Sequence, residues 1–226
     1  LIIYPEDGKL PATVEGVPRQ FDTLGDDTPG TRPVRTLVGG IAKDGPEDRG
    51  LSERCIVGFN SGPPFTPSLY NNNVQFFQNR DTVVILTEMI HDARIVPLTA
   101  KPALPDEIRL WSGDSRGWYE GDTLVVETKN FNGLRQPLNF TFVGTNLETV
   151  LTEKFTRTSY DSIDYEFTID DPSTFTDKLT AIVPLTKVAG QLYEYACHEG
   201  NYGMQNLLRG KRFEDRQETE GSASSR

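Results

Sequence analysis

The chain contains two histidines, and each lies among groups that can exchange protons. His91 lies between Glu88 and Asp92, shortly after the apolar run 83–86, and His198 lies in a tyrosine-rich segment near the C-terminus. An imidazole titrates near pH 6.5, so histidine is the natural general acid or base at neutral pH. The two segments form one site only if the fold brings them together, and we take that as the working hypothesis.

The spacing around His91 limits which acid can orient its ring. Successive side chains of a regular strand point to opposite faces, so Asp92 is a poor partner for its neighbour. Glu88 lies three positions before His91, and a bend near Met89 is needed to bring either carboxylate to the imidazole. The alternative is a structural histidine that is hydrogen-bonded at a strand end.

Four consecutive polar residues, Tyr70, Asn71, Asn72 and Asn73, form the second candidate segment. Asparagine favours turns through local backbone hydrogen bonds, so a solvated loop is one interpretation. The functional interpretation is a ligand-binding loop whose three amides hold a small polar or carbohydrate-like molecule. A tyrosine acid beside a histidine base suits proton abstraction in a lyase or hydrolase. The predicted catalytic residues are therefore His91, Tyr70 and His198.

Arg94, Arg116 and Trp118 are further candidates for ligand binding. A guanidinium binds an anionic group in a bidentate manner, and an indole stacks on a sugar or lines a core. The alternative for each arginine is an ordinary salt bridge with one of the 33 acidic residues. The alternative for Trp118 is a buried aromatic core position.

Metal and cofactor motifs are absent from the sequence. His91, His198 and a carboxylate would make a three-ligand zinc site only if the fold joined them, and no paired-histidine helical spacing is present. No G-x-S-x-G elbow, phosphate-binding loop or dinucleotide fingerprint is found, and we interpret 113–117 as a turn. We therefore predict no metal and no cofactor.

Composition narrows the class of protein. The 226 residues carry a formal charge of -10, which disfavours nucleic-acid binding because such proteins concentrate Lys and Arg. No run approaches the roughly 18 apolar residues that a membrane span needs. The 20 Gly and 15 Pro indicate many turns.

Short runs of β-branched, aromatic and aliphatic residues separated by turn residues predict about ten antiparallel strands. A long twisted antiparallel sheet removes its edges by closing, so a single lipocalin-like β-barrel is the first choice and a β-sandwich the second. The predicted strands are 55–59, 74–78, 82–88, 94–98, 108–111, 123–128, 147–157, 163–169, 179–185 and 191–197.

The remaining segments flank this predicted barrel domain, 51–203. Residues 1–50 are interpreted as an irregular arm with a short extended segment at 34–37. Residues 204–226 are interpreted as a short helix at 204–208 and a polar tail that orders only by docking. The arm and the tail are thus candidates for contacts with neighbouring copies in a homo-oligomer.

Cys55 and Cys197 form an even count that permits one disulfide. Closing so long a loop would lower the entropy of the unfolded chain and so stabilise the folded protein by roughly 4–5 kcal/mol in the entropic model. Two free buried thiols that behave as small hydrophobes are the alternative. The chain begins with Leu1, so we expect a processing site or a fragment edge there, and a signal peptide could precede it.

The segment Trp118-Tyr119-Glu120-Gly121-Asp122-Thr123-Leu124-Val125-Val126 resembles a recurrent strand start in an uncharacterised family of exported bacterial β-rich proteins. The resemblance covers about residues 46 to 210 and includes Glu88-Met89-Ile90-His91-Asp92-Ala93-Arg94. It implies a single β-rich domain and export to the periplasm or outside the cell. No activity is established for the family, so no catalytic residue is carried over.

Three functions remain open from the sequence. The first is an exported barrel that binds a small polar or carbohydrate-like ligand at its mouth and acts on it by His-based acid-base chemistry. The second is a non-catalytic, lipocalin-like binding protein. The third is a structural assembly protein whose arm and tail dock on neighbouring copies.

Overall fold

The computed structural model of the chain describes residues 1–17, 43–100, 102–133 and 145–224, and these are mostly β. A six-stranded antiparallel sheet has the order β1-β9-β8-β7-β6-β5, and a three-stranded antiparallel sheet has the order β2-β3-β4. The strands are β1 Ile2–Tyr4, β2 Val74–Gln78, β3 Thr82–Thr87, β4 Ala93–Pro97, β5 Asp114–Glu120, β6 Thr123–Lys129, β7 Val150–Arg157, β8 Ser162–Asp170 and β9 Leu179–Thr186.

Strand alternation builds the buried face of the larger sheet. On β8, Tyr165, Phe167 and Ile169 are buried while the residues between them are only partly covered. The β7–β8 hairpin has Arg157 opposite Ile163, so their buried positions face the same side. This is the meander that the sequence pattern predicts.

The core lies between the two sheets. Val83, Ile85 and Val96 of the smaller sheet belong to the same apolar cluster as the buried face of the larger one. Phe76 on β2 meets Phe155 on β7 edge to face, with ring centroids 5.3 Å apart. No closed barrel is found among the described residues, so the lipocalin-like barrel is not confirmed. The fold that the described residues show is two antiparallel sheets that share one core.

Three predicted strands are wrong. The backbone of 55–59 is not extended throughout, since Cys55 has a left-handed φ of 57°. Only Leu110 of 108–111 makes a β-bridge, and 191–197 joins no ladder. Conversely, the turn predicted at 113–117 contains the start of β5.

Both ends of the chain differ from the predicted arm and tail. β1 adds an edge strand beside β9, so the first residues belong to the larger sheet. Residues 18–42, including the extended segment predicted at 34–37, lie outside the described residues. The C-terminal helix α1, Tyr202–Ser224, is much longer than predicted. It includes most of the polar tail, because long polar residues favour helix and pairs such as Lys211–Asp215, at 2.9 Å, add support.

Candidate functional site

Asn60 holds the predicted ligand-binding loop in place. Its side chain is buried, and Nδ2 lies within hydrogen-bond distance of Ser68 Oγ at 2.8 Å, Tyr70 O at 3.0 Å, Asn71 O at 3.0 Å and Asn72 Oδ1 at 3.1 Å. Asn72 also donates its own amide to Ser68 O at 2.8 Å. The amide of Asn72 therefore forms contacts within the loop, and the large side chains that the loop exposes are Leu69 and Tyr70.

Asn73 and His91 lie at the end of the smaller sheet where β2 begins and β3 ends. Asn73 Nδ2 donates to Glu88 Oε2 at 2.8 Å, and the N–H of His91 donates to Glu88 O at 3.1 Å. The carboxylate of Glu88 thus accepts a hydrogen bond from the side-chain amide of Asn73. The imidazole of His91 is exposed, and no hydrogen bond or ion pair joins it to any residue that the structure describes. The predicted acid–histidine pairing is not formed here.

The turn that carries His198 is attached to the body by a disulfide between Cys55 and Cys197. Asn201 adds a second attachment, since its Nδ2 donates to Glu53 O at 2.7 Å and lies 3.6 Å from Cys55 Sγ. The side chain of His198 is exposed on this turn. The stretch with the second histidine is therefore fixed against the segment 50–60.

A shallow cleft of about 350 Å³ lies beside this disulfide, between residues 52–53 on one wall and 195–201 on the other. Tyr195, Cys197 and Asn201 line it, whereas neither imidazole does. Burial raises the pKa of the Tyr195 phenol, and the nearby Tyr70 raises it further. Tyr70 is thus near enough to act electrostatically on Tyr195, but it does not line the cleft. Neither phenol oxygen hydrogen-bonds to another part of the described chain.

The polar groups of the cleft are largely neutral. Glu53 accepts from Arg49 Nη2 at 3.0 Å and from the N–H of Gly50 at 2.8 Å, so its charge is balanced beside the cleft. Ser52 donates its hydroxyl to Val57 O. The ring of Tyr70 packs against the ring of Phe59 in a T-shaped arrangement, with ring centroids 5.5 Å apart. The cleft therefore offers one phenol, an amide and a paired carboxylate.

Arg94 does not point to this cleft but pairs with Glu153 in the interior. Its Nη2 donates to Glu153 Oε1 at 3.0 Å, and its Nη1 donates to Oε2. Burial lowers the pKa of Arg94, but the charge and hydrogen bonds of Glu153 outweigh that effect and leave the pKa raised. The alternative interpretation of Arg94, a salt bridge, is the arrangement found.

Tyr165 completes this internal network. Its hydroxyl donates to Glu153 Oε1 at 2.8 Å and accepts from the N–H of Phe65 at 3.0 Å. Burial, followed by the negative charge of Glu153, raises the pKa of the phenol well above its ordinary value. The network joins β4, β7, β8 and the loop before β2.

Arg116 and Trp118 lie on β5, where Gly117 packs against Val96 and Leu98 of the β4 region. Arg116 Nη1 lies 2.5 Å from Asp114 Oδ1, and Trp118 donates its indole N–H to Glu120 at 2.9 Å. These side chains are anchored on an edge strand, on a different element from Tyr70 and Tyr195.

Within the described residues, no group of three or more His, Cys, Asp and Glu is placed to hold a metal ion. In the same part of the chain, no helix combines the length and apolar character that a membrane crossing requires. Comparisons with family models, curated proteins and solved structures gave no match to this chain.

Sequence reasoning named part of this site and missed the rest. Tyr70 is a predicted site residue, and Tyr195 belongs to the tyrosine-rich segment that carries His198, but the sequence does not single out Tyr195 or Asn201. The sequence feature that could have indicated Tyr195 and Asn201 is their closeness to Cys197. A disulfide from Cys197 to Cys55 would bring both residues to the segment around Cys55. Asn60 has no sequence signal, since a lone asparagine among turn residues is common.

Proposed function

We propose that this protein is an exported binding protein that holds a small, neutral, carbohydrate-like ligand in the cleft between 52–53 and 195–201. The observation that supports the proposal is the phenol of Tyr195 in the lining of the cleft, whose hydroxyl has no hydrogen-bond partner among the described residues. The phenol of Tyr70 lies near it, outside the lining. A phenol supplies a flat apolar face and a hydroxyl, which suits a ring that carries hydroxyl groups. The cleft volume lies at the lower end of the range for small-ligand sites.

The charges favour a neutral ligand over an acidic one. The arginines predicted to clamp an anion, Arg94 and Arg116, are engaged with Glu153 and Asp114. No unpaired cation is among the residues that line the cleft, where the carboxylate of Glu53 is paired with Arg49, and the whole chain carries a formal charge of -10. An anionic ligand would be repelled unless a local cation offset this field.

We do not extend the proposal to catalysis by His91 and His198. A general base must lie within hydrogen-bond reach of the proton that it removes. Neither imidazole lines the cleft, and neither is oriented by a carboxylate in the described part of the chain. Binding without catalysis is the form of the hypothesis that the geometry favours.

Export is supported by the Cys55–Cys197 disulfide. Such bonds persist in oxidising compartments and are rare in the reducing cytosol. Self-association through the arm and α1 stays a prediction, and light scattering over a hundredfold range of protein concentration would test it.

The test of binding is calorimetric titration of the full chain with cellobiose, maltose and diacetylchitobiose, with glucuronate as the acidic comparator. We expect at least one neutral sugar to bind, and Tyr195→Ala to weaken it by about tenfold or more, a loss of about 1.4 kcal/mol. Tyr193→Ala is the matched control, because Tyr193 lies on the same segment, is 76% exposed and does not line the cleft. Equal weakening by both variants would contradict the proposal.

A further inference from the structure

The disulfide is part of the cleft wall and not only a link beneath it. Cys197 lines the cleft, whereas Cys55 is buried at 6% exposure. Cys197 is half-buried, so the cleft approaches the disulfide from the Cys197 side. Thiol–disulfide exchange depends on such access and on which sulfur is attacked.

Local hydrogen bonds and the side-chain amide of Asn201 act on that wall beside the disulfide. The backbone hydrogen bonds recorded within it are local, from Cys197 N–H to Tyr195 O at 2.9 Å and from Asn201 N–H to His198 O at 3.3 Å. The segment 191–201 joins no β-ladder. The side-chain amide of Asn201 donates a hydrogen bond to the backbone oxygen of Glu53, on the opposite wall of the cleft. The disulfide is thus the strongest tether of the wall.

We propose that the Cys55–Cys197 disulfide is a redox-controlled latch of the cleft, opened by a dithiol reductant. Reduction frees the segment 195–201 and removes Tyr195 from its place beside Tyr70, while the two sheets stay folded. The consequence for ligand affinity rests on the proposed binding function, whereas the opening of the wall does not.

The exchange balances without any further reactant. One thiolate of the dithiol attacks Sγ of Cys197 and forms a mixed disulfide, and the bond to Cys55 breaks. The electron pair leaves on Cys55 Sγ, which lies 3.6 Å from the Asn201 amide donor and then takes a proton from water. The second thiolate of the dithiol attacks the reductant sulfur of the mixed disulfide, and Cys197 leaves as a thiolate that also takes a proton from water. The dithiol is oxidised to a disulfide, and the protein gains two thiols.

Trapping with reduced glutathione tests the site of attack. The folded chain is incubated with glutathione, quenched in acid, and the adduct is mapped by mass spectrometry. We expect glutathione on Cys197 and a free thiol at Cys55. An adduct that is equally distributed or found chiefly on Cys55 would overturn the proposal, because the buried sulfur would then be the reachable one.

Hydrogen exchange before and after reduction with dithiothreitol tests the opening. We expect exchange in 195–201 to rise by about tenfold or more, while β7 and β8 keep their protection. The double variant Cys55→Ser with Cys197→Ser should show the same pattern without any reductant. Unchanged exchange in 195–201, or loss of protection throughout the larger sheet on reduction, would contradict a local latch. Neither readout requires a ligand, so a failure of the sugar titrations leaves this test intact.

Discussion

Arg94 on β4 and Glu153 on β7 form an ion pair that joins the two sheets inside the protein. The carboxylate is fully buried, and the arginine side chain is 9% exposed. The carboxylate also accepts the hydroxyl of Tyr165, and the guanidinium lies over the ring of Phe65 at 5.5 Å. A charged contact thus fixes how one sheet sits on the other within an apolar core.

Removing one member of this pair should cost more than removing both. Glu153→Gln or Arg94→Ala leaves a buried charge without its partner, and we expect urea unfolding to show a loss of about 3–5 kcal/mol. The double change Arg94→Met with Glu153→Leu should come nearer to the wild type, since well-packed apolar residues replace buried ions at little cost. A loss of about 1–3 kcal/mol should remain, because the buried hydroxyl of Tyr165 loses its acceptor. Lys154→Ala, in an exposed pair with Glu166 at 3.8 Å, is the control and should cost less than about 1 kcal/mol. A double variant as unstable as the sum of the single variants would contradict this account.

Stability should fall at alkaline pH because of Tyr165. Burial and then Glu153 raise its pKa in the folded state, whereas the unfolded phenol ionises near about pH 10. Above that pH the unfolded chain has fewer protons than the folded one, so the free energy of unfolding decreases as pH rises, by about 1.4 kcal/mol per unit. The contribution is complete below the unfolded pKa. Urea titrations at pH 9, 10 and 11 should show a shallower decline for Tyr165→Phe, and an identical slope would refute the assignment.

Asn60 should control the order of the loop that carries Tyr70. Asn60→Ala removes the donor that faces the carbonyl oxygens of Tyr70 and Asn71, and we expect a loss of about 1–3 kcal/mol and faster hydrogen exchange at 68–73. Asn60→Asp keeps the shape but turns a carboxylate oxygen toward those carbonyls, so it should be the more damaging change. Asn206→Ala, at an exposed position of α1, should change stability by less than about 0.5 kcal/mol. A neutral Asn60→Asp would show that the loop is held by other contacts.

Gly58 should tolerate no side chain while Met89 is present. A Cβ at Gly58 would lie 2.2 Å from Met89 Cγ, and Met89 is buried. We expect Gly58→Ala to destabilise the protein by about 1–3 kcal/mol through overpacking. In the double variant Gly58→Ala with Met89→Ala, part of the stability that Gly58→Ala removes should return. Thermal melts of the single and the double variant measure this. Gly200→Ala is the control because nothing lies within 4 Å of its added Cβ. No coupling between the two changes would argue against this contact.

The sheet was predictable where the apolar pattern matches the strand period. On β8 the alternation of Tyr165, Phe167 and Ile169 with polar residues gives both the strand and its buried face. β5 lacks that signal, because the positions buried on it are Ser115 and Gly117. Gly117 is small since Val96 and Leu98 fill the space above it, which is a property of the partner strand and not of the local sequence.

The site was less predictable than the sheet, because its walls come from distant parts of the chain. Cys55 and Cys197 are 142 residues apart, and their bond, together with the hydrogen bond from Asn201 to Glu53, holds the segment of Tyr195 at the cleft. Glu153 lies between Leu151 and Phe155 on the buried face of β7. A carboxylate at such a position requires a partner of opposite charge. The identity of that cation, Arg94, depends on how the sheets pack.

Chemical-shift mapping of the full, disulfide-bonded chain tests the central claim most directly. The isotope-labelled protein is titrated with cellobiose, maltose and diacetylchitobiose in turn. The account predicts saturable shifts at 52–53, Tyr70 and 195–201 for at least one neutral sugar, and their loss in Tyr195→Ala but not in Tyr193→Ala. Shifts centred on β5 near Trp118, or no binding tighter than about 10 mM by any of the three, would contradict it.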